Sequence, residues 1–372
     1  MASDHSPTDV LVDGQGLADA SAFRGIGTYL GHILAGLAAE PALSVAALVH
    51  GDAATRLPAG VRPVAVHRWA PPRWAQREHD VLLPLTLCRS TTDVFLSPGQ
   101  DPPMRCRAPW VQTLHGVLPL IADHPGLAAE RRHWLAMAPR IRKAAAVIAV
   151  SRHCADTGIR ALGLDPRRVH VVYHGVGEEF RAPAASIQNS QGVEQPYLLY
   201  VGEFGPWKGY REAFEVVAAL AEAGHEMPLR VVGRLAPWVR PQVEALAAAA
   251  PRPDLVELVG HVDHKDLPSL YRGAMALVMT SRFESFGLPT VEAMASGTPV
   301  VAFTNSATAE IVGDGGVLVP DGEIRPFVRA LRLIVEDDRC RDELRARGIA
   351  RARSFDWPSS IRAHGEILSG VA

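Results

Sequence analysis

The residues best suited to chemistry lie in one stretch, SRFESFGLPTVEAMASGTPVV, at positions 281–301. Two carboxylates, Glu284 and Glu292, stand on either side of a Gly-Leu-Pro sequence. Proline is at home in the first turn of a helix, and the later Gly-Thr-Pro marks a helix end, so the pattern predicts a helix from Leu288 to Ser296. One carboxylate therefore belongs to the loop before the helix, and the other to its first turns.

The start of this predicted helix is suited to bind an anion. Unpaired backbone amides and the helix dipole favour a phosphate there. Two flanking carboxylates do not suit a bare phosphate, but they suit a nucleotide sugar, whose ribose and hexose hydroxyls extend from the diphosphate toward hydrogen-bond acceptors. The structural alternative is that Glu292 only favours the dipole and Glu284 is a solvated loop residue. The structural alternative is the better interpretation of either glutamate taken alone. The two carboxylates together with the helix start favour a functional role.

The elements that must position these residues are predicted from alternating strand and helix patterns. Short β-branched runs alternate with longer helical patterns in both halves, which is typical of parallel sheets wound by crossover helices. Ligands of such sheets bind at the carboxyl edge, where three of the runs end in glycine. The predicted strands are 9–13, 45–50, 93–97, 109–114, 146–151, 169–173, 197–202, 229–233, 255–260, 274–279 and 298–303.

Length, charge and cysteine content restrict the class of protein. A chain of 372 residues suits two domains of similar size, and a net charge of −2 with interspersed signs gives no basic face for nucleic acid or for an anionic membrane. We expect a small-molecule partner. The four cysteines lack CxxC spacing, which argues against a zinc site or disulfides and favours buried thiols in a reducing cytosol. The apolar run 144–150 is too short to cross a bilayer.

Several blocks of the sequence resemble one enzyme family. The segment RFESFGLPTVEAMASGTPVV resembles the E-x7-E region of retaining glycosyltransferases of the GT-B fold, family 4, also called glycosyl transferases group 1. YLLYVGEFGPWKG at 197–209 resembles the strand and phosphate-binding loop that open the donor domain of that family. GIGTYL at 25–30 resembles its first glycine-rich loop, and the segment from Val147 to Phe180 resembles the end of its acceptor domain.

The resemblance implies an α/β fold with two Rossmann-like parallel-sheet domains facing across a cleft. A polar, proline-punctuated stretch separates the two halves and is expected to be the linker. The expected order is an acceptor-binding domain at 1–182, the linker at 183–196, a nucleotide-sugar donor-binding domain at 197–354, and a C-terminal helix at 355–372 that crosses back to the first domain.

The same resemblance implies a role for particular side chains. Lys208 would neutralise the donor diphosphate, Glu284 would hold hydroxyls of the transferred sugar, and Glu292 would hold the ribose. His115 would contact the sugar near its anomeric carbon, which makes it a catalytic candidate together with Lys208 and Glu284. Further donor contacts are expected at Gly25, Gly27, Gly202, Gly233, Arg234, His261, Val262, Phe286, Gly287 and Leu288.

The sequence departs from the family pattern at two places. Trp207 and Glu203 stand where an arginine often accompanies the lysine, so one positive charge is missing; Arg234 and Arg282 are candidates for it, each equally suited to a surface role. The histidine of the usual His-Asp pair is followed by glycine, so His115 lacks a neighbouring carboxylate to fix its tautomer. His261 and His264 lie in an HVDH sequence, for which a structural role is favoured over metal binding.

These observations predict a metal-independent, retaining hexosyltransferase that uses a UDP- or GDP-sugar and a hydroxyl acceptor in glycan or natural-product biosynthesis. The nucleotide sugar is a co-substrate, and no cofactor is expected. The sequence contains no Asp-x-Asp for a metal-bound diphosphate. An abundance of alanine and arginine suggests a bacterial gene, with a cytoplasmic product whose peripheral membrane contact and oligomeric state stay open. Two alternatives remain: a sugar-nucleotide epimerase or phosphorylase of the same fold, and a non-catalytic nucleotide-sugar-binding subunit.

Overall fold

The computed structural model describes residues 6–17, 25–66, 75–122, 124–181, 196–235 and 239–372. The chain forms two compact units, one built from 1–175 with 357–372 and the other from 176–356. The expected boundary at 182 is therefore later than the observed one at Gly175. The reason is that 176–181 pack with the second unit, where the Phe180 carbonyl accepts a hydrogen bond of 3.1 Å from Ser296. Except for Pro196, the expected linker lies outside the described residues.

The first unit is built on a sheet of seven strands that pair in parallel. Its spatial order is β3-β2-β1-β4-β5-β6-β7. The strands are β1 (Thr8–Asp13), β2 (Leu43–Val49), β3 (Arg62–Ala65), β4 (Val94–Ser97), β5 (Trp110–Leu114), β6 (Ala146–Ala149) and β7 (Val169–Val171). The helices of this unit are α1 (Gly25–Ala39), α2 (Ala75–Arg89), α3 (Leu118–Ile121), α4 (Ala128–Ile141), α5 (Arg152–Leu162) and the C-terminal α13 (Trp357–Val371).

The second unit repeats the plan with six strands that also pair in parallel, in the order β10-β9-β8-β11-β12-β13. Its strands are β8 (Leu198–Val201), β9 (Leu229–Val232), β10 (Val256–Gly260), β11 (Ala276–Met279), β12 (Val300–Thr304) and β13 (Val317–Pro320). Its helices are α6 (Tyr210–Glu222), α7 (Arg240–Ala248), α8 (Leu267–Gly273), α9 (Leu288–Ala295), α10 (Thr308–Val312), α11 (Ile324–Glu336) and α12 (Asp338–Ala352).

Each sheet is buried between helices, which explains why most central strands read as continuous apolar runs. The last helix completes the core of the first unit, where Trp357 and Leu368 pack among buried residues of α1 and the sheet. The two helices approach closely, since a Cβ at Gly36 would lie only 2.2 Å from Ile361. The predicted parallel α/β class is confirmed, and α13 supplies apolar surface that the first sheet requires.

Two sequence expectations, on the strands and on the cysteines, differ from the structure. The strands β3 and β13 were not predicted, since the exposed RPVA sequence of β3 lacks an apolar pattern and β13 is a four-residue edge strand. The cysteines are not uniformly buried: only Cys154 is, while Cys88 is exposed. Cys106 and Cys340 are partly exposed because they lie at the edge of the apolar cores. Within the described chain, no helix combines the length and apolarity that crossing a membrane requires.

Candidate functional site

The second sheet has a topological switch point between β8 and β11. The strand order runs outward in opposite directions from this pair, and open α/β sheets bind ligands at the carboxyl edge beside such a switch point. Two hydrogen bonds join the two loops: the Arg282 amide donates to the Trp207 carbonyl at 2.7 Å, and the Thr280 hydroxyl donates to the Gly209 carbonyl at 2.7 Å. The residues predicted from both segments therefore share one site.

Lys208 and Glu284 meet at this site. The Lys208 Nζ lies 2.6 Å from the Glu284 Oε1, although the residues are separated by 76 positions in the chain. Their side chains are only 19% and 12% exposed, so solvent screens this ion pair less than a surface pair. The backbone of each partner is also held: the Tyr200 hydroxyl donates to the Lys208 carbonyl at 2.6 Å, and the Glu284 amide donates to the Ser306 hydroxyl at 2.8 Å.

Two glycines allow the backbone to approach this closely. Gly209 has φ = +65°, and a Cβ there would lie 1.9 Å from the Thr280 carbonyl oxygen. A Cβ at Gly233, after β9, would likewise lie 1.9 Å from the Gly202 carbonyl oxygen, after β8. That carbonyl is already fixed, since it accepts a hydrogen bond of 3.0 Å from the Tyr210 hydroxyl. The predicted pair Gly202 and Gly233 is thus brought together by direct backbone packing.

Replacing Gly233 by alanine is expected to displace the loop after β8 and to lower the melting temperature. The added methyl group would overlap a backbone oxygen, and such overpacking costs roughly 1–3 kcal/mol, which is several degrees of melting temperature in a domain of this size. The matched control is Gly202→Ala, whose Cβ would meet only the Tyr200 ring at 3.4 Å. Thermal unfolding of both variants checks the prediction, and equal melting temperatures would contradict it.

The predicted helix is present as α9 and begins one residue after Gly287. This glycine is the N-cap and has φ = +91° and ψ = +56°, a left-handed conformation that favours glycine. Because Pro289 has no N–H and the Thr290 amide donates to the Gly287 carbonyl at 3.0 Å, the donors nearest the loop are the amides of Gly287 and Leu288. Phe286 is buried just before them. The helix start can therefore receive an anionic group.

Glu292 is more deeply enclosed than a solvated helix carboxylate. It is 8% exposed, and its Oε2 accepts a hydrogen bond of 2.8 Å from the Tyr271 hydroxyl, which belongs to α8. Burial raises the pKa of Glu292 to about 7, while the Tyr271 hydrogen bond opposes that rise. The structural alternative of a solvated loop carboxylate is contradicted for Glu284, whose side chain is only 12% exposed.

The other predicted donor-side residues are more exposed. Arg282 lies 2.5 Å from the carboxylate of Glu212, so its charge is engaged in a salt bridge. Arg234 is exposed after β9 and Gly233, and Val262 is half-buried in the loop after β10. The His261 Nε2 lies 3.6 Å from Asp263. His264 of the same HVDH sequence lies 3.4 Å from Glu179 instead, so the two imidazoles have different partners.

In the first unit, His115 follows β5 and its tautomer is fixed by a backbone carbonyl. Its ring forms a hydrogen bond with the backbone of Pro98, which has only a carbonyl to offer. Within the described part of the chain, the Nε2 is buried and has no hydrogen-bond partner. The Nδ1–H is therefore the donor to Pro98, and the Nε2 carries the free lone pair. Burial, followed by the nearby His364, lowers the pKa of His115 to about 4, so the ring is neutral near pH 7.

A cluster of buried rings surrounds His115, and the sequence analysis missed it. Tyr29 of α1 is its centre, with ring centroids 4.8 Å from His115, 5.3 Å from His174 and 5.6 Å from His364. The His364 Nδ1 lies 2.7 Å from the Ser360 carbonyl, to which it must donate. Its Nε2 therefore accepts from the Tyr29 hydroxyl at 2.9 Å. We name Tyr29, His115, His174 and His364 the histidine cluster.

The remaining residues of the first unit are placed as follows. Gly25 and Gly27 lie in the first turn of α1, and residues 18–24, directly before this helix, lie outside the described ones. The sequence also offers Trp69, Trp74 and Trp134 as aromatic residues that could stack on an acceptor ring, with simple packing as the favoured interpretation. Trp134 is 2% exposed, which agrees with packing, whereas Trp69 and Trp74 lie outside the described residues. Residues of α3, of α4 and of the chain between them border an open pocket of about 300 Å³ with apolar and basic walls. It is lined by Pro119, Ala122, His124, Pro125, Leu127, Ala128, Arg131 and Arg132.

Family comparisons agree with this two-unit architecture. A model described as "Glycosyl transferases group 1" matches residues 184–355, and one described as "Glycosyltransferase Family 4" matches residues 23–180. Together the two matches include most of both units. The chain belongs to the group 1, family 4 glycosyltransferases, which confirms the predicted resemblance.

Individual proteins are similar to the chain at lower identity. The O-antigen chain mannosyltransferase B of Escherichia coli is 32% identical over 181 residues, which are 48% of this chain and 47% of that protein. The alpha-D-kanosaminyltransferase of Streptomyces kanamyceticus is 27% identical over 264 residues, 68% of this chain and 67% of that protein. The chain thus spans about half the length of the first relative and two thirds of the second.

Solved structures share the fold over nearly the whole chain. Sucrose-phosphate synthase from Thermosynechococcus elongatus superposes with a TM-score of 0.79 at 20% identity, over 98% of this chain and 99% of that one. Anabaena Alr3699/HepE, in complex with UDP and glucose, superposes with a TM-score of 0.74 at 21% identity, over 98% and 100%. These similarities confirm the predicted GT-B class of fold.

Proposed function

We propose that the chain is a retaining, metal-independent hexosyltransferase that moves a sugar from a nucleoside diphosphate to a hydroxyl acceptor. The observation that carries the proposal is the Lys208–Glu284 ion pair of 2.6 Å at the switch point of the second sheet, beside the start of α9. A cation and an amide-bearing helix start suit a diphosphate, and a carboxylate suits sugar hydroxyls. Membership of a glycosyltransferase family supports this assignment of the site.

The proposed reaction exchanges one bond at the anomeric carbon for another. The bond from this carbon to the diphosphate oxygen breaks, and a bond to the acceptor oxygen forms on the same face. The proton of the acceptor hydroxyl passes to the leaving phosphate, so charge and atoms balance. Lys208 and the amides of Gly287 and Leu288 stabilise the negative charge that develops on the leaving group.

Glu284 and His115 are proposed to orient the transferred sugar. Glu284 accepts hydrogen bonds from its hydroxyls, and it must share or exchange its Lys208 partner when the donor binds. The His115 Nε2 carries a lone pair because the Nδ1 donates to Pro98. It can accept a hydrogen bond from a sugar hydroxyl, so the Pro98 carbonyl takes the tautomer-fixing role expected of a carboxylate. The missing arginine beside Lys208 has Arg234 as its remaining candidate.

Relatives and structural neighbours support the class of donor. The names of the two relatives describe transfer of mannosyl and kanosaminyl groups, and one neighbouring structure holds UDP and glucose. A UDP- or GDP-hexose is therefore the proposed donor, and a glycan or natural-product hydroxyl the proposed acceptor. The proposed setting is the bacterial cytoplasm, as for an enzyme that uses intracellular nucleotide sugars.

A nucleoside diphosphate or its sugar is expected to raise the melting temperature of the protein. A ligand at 100 times its dissociation constant stabilises the folded state by about 2.7 kcal/mol, which is a shift of several degrees. Thermal-shift measurements with UDP-, GDP- and dTDP-hexoses test this, with the Lys208→Met variant as control. The same shift in wild type and variant would contradict placement of the diphosphate at Lys208.

The full proposal is tested by following the donor and the product. Release of the nucleoside diphosphate that depends on an added acceptor, together with an unchanged anomeric configuration in the product by NMR, is the expected result. Donor consumption without an acceptor would favour an epimerase, and a requirement for inorganic phosphate would favour a phosphorylase. Donor binding without any turnover would favour the non-catalytic subunit.

A further inference from the structure

The carboxylate of Glu292 has one oxygen fixed and one available. Its Oε2 accepts the 2.8 Å hydrogen bond from Tyr271, and no hydrogen bond to Oε1 is found among the described residues. Tyr271 is itself fully buried, and its carbonyl accepts a hydrogen bond of 2.5 Å from the Thr298 hydroxyl. The tyrosine is therefore a rigid donor, and it leaves Oε1 as the oxygen that can meet a ligand.

We propose that Tyr271 is a positioning residue that holds the Glu292 carboxylate for the ribose diol of the donor, so that the site prefers ribonucleotides over their 2′-deoxy counterparts. This inference rests on the proposed function. A carboxylate that accepts from a buried hydroxyl on one oxygen keeps a fixed orientation, and the other oxygen can accept from a ribose hydroxyl. Tyr271 does not touch the donor; it acts through Glu292.

The hydroxyl of Tyr271 also favours the charged form of Glu292. Burial raises the pKa of this carboxyl to about 7, the Tyr271 bond lowers it, and the nearby Glu179 raises it. Glu179 lies 3.4 Å from the His264 imidazole. The helix α12 also packs against α9, but its Arg351 is hydrogen-bonded to two carbonyls of α10. Without the Tyr271 hydroxyl, the carboxyl is expected to hold its proton to a higher pH.

The test compares binding of UDP with 2′-deoxy-UDP, and of GDP with 2′-deoxy-GDP, by calorimetry between pH 6 and pH 9. The terminal phosphate titrates near pH 6, but it does so equally in both members of a pair. The ratio of their affinities therefore isolates the ribose 2′-hydroxyl. In the wild type we expect a ribonucleotide preference of about 10-fold or more at pH 8, typical of a hydrogen bond to a charged acceptor, and its loss below pH 7.

The Tyr271→Phe variant is expected to reduce this preference at pH 7 to about 2-fold or less and to shift its midpoint to higher pH, with partial recovery at pH 9. Glu292→Gln should show a small preference that does not change with pH. Tyr197→Phe is the matched control, because its hydroxyl donates to Leu270 of the same helix, α8, at 2.7 Å. We expect that control to keep the wild-type ratio and midpoint.

The possible outcomes distinguish a failure of the proposed function from a failure of the positioning role of Tyr271. If the wild type binds neither UDP nor GDP, the proposed function and this inference are both overturned. If it binds them and Tyr271→Phe keeps the wild-type ratio and midpoint, the inference alone is overturned. A loss of affinity in Tyr271→Phe that is equal for both members of a pair and independent of pH would show only general damage to the fold, and it would also overturn the positioning role.

Discussion

Replacing Lys208 by methionine is expected to lower the rate of sugar transfer by about 10²–10³-fold, the loss seen when one preorganised charge-stabilising donor is removed. Methionine keeps much of the length and apolar character of the lysine stem but removes the ammonium group. That group lies 2.6 Å from Glu284 at the switch point of the second sheet, where the diphosphate is proposed to bind. Steady-state kinetics with a saturating acceptor measure the effect, which should appear mainly in kcat.

The ion pair makes a second result of this substitution predictable. Methionine would leave the Glu284 carboxylate, only 12% exposed, without its cation. Removing one partner of an enclosed pair costs more than removing both, because the remaining charge is left poorly solvated. We therefore expect the double variant Lys208→Met/Glu284→Gln to unfold at a higher temperature than Lys208→Met. Its transfer rate should be no higher, since the two residues act on the same donor.

The chain offers a matched control for the loss of positive charge. Lys265 is exposed in the loop before α8, and Lys265→Met removes the same charge from the same unit. Transfer by that control is expected to stay close to wild type. Wild-type kcat in Lys208→Met, or an equal loss in Lys265→Met, would contradict the assignment of Lys208 to the leaving group.

Local signals in the sequence predicted the element that carries the site. Gly287 and Pro289 punctuate the chain so strongly that the predicted helix, Leu288 to Ser296, agrees with the observed α9, Leu288–Ala295, to within one residue. Such punctuation depends on φ preferences and on a missing N–H, both of which act within a few residues. Predictions that depend on local geometry were therefore the most accurate ones.

Contacts between distant parts of the chain left weaker signals. Lys208 and Glu284 are 76 positions apart, and only the family resemblance linked them. Tyr271 was missed, although the setting of Glu292 gave a hint: its flanking sequence, TVEAMA, is apolar enough to predict a buried carboxyl that needs a donor. Which residue supplies that donor depends on how α8 packs against α9, and a single sequence does not contain that information.

The histidine cluster shows the same limit on a larger scale. Tyr29 and His364 are separated by 335 positions, and they meet because α13 packs on α1 within the first unit. Each of the three histidines alone resembles any other of the 15 in the chain. Their common burial, rather than their spacing, makes them a distinct group with a measurable property.

Acidification from pH 7 to pH 4 is expected to unfold the first unit, because the histidine cluster is buried in its neutral form. Burial lowers the pKa of His115 and of His364 to about 4, and it places the pKa of His174 well below its usual range. In the unfolded chain these groups bind protons below about pH 6.5. The unfolded state therefore binds more protons in this window, and the free energy of unfolding falls as pH decreases.

The size of this effect is large relative to the stability of a domain. Each histidine removes about 1.4 kcal/mol per pH unit between its unfolded and folded pKa values, and a typical domain has only about 5–15 kcal/mol to lose. Melting temperatures measured across this range should fall steeply below pH 6.5, with an uptake of two to three protons on unfolding.

His364→Asn, which keeps a donor for the Ser360 carbonyl, should reduce that uptake by about one proton. The control is His170→Asn, at an exposed position of β7 outside the histidine cluster, and it should leave the slope of stability against pH unchanged; equal slopes in wild type and His364→Asn would contradict the cluster as the cause.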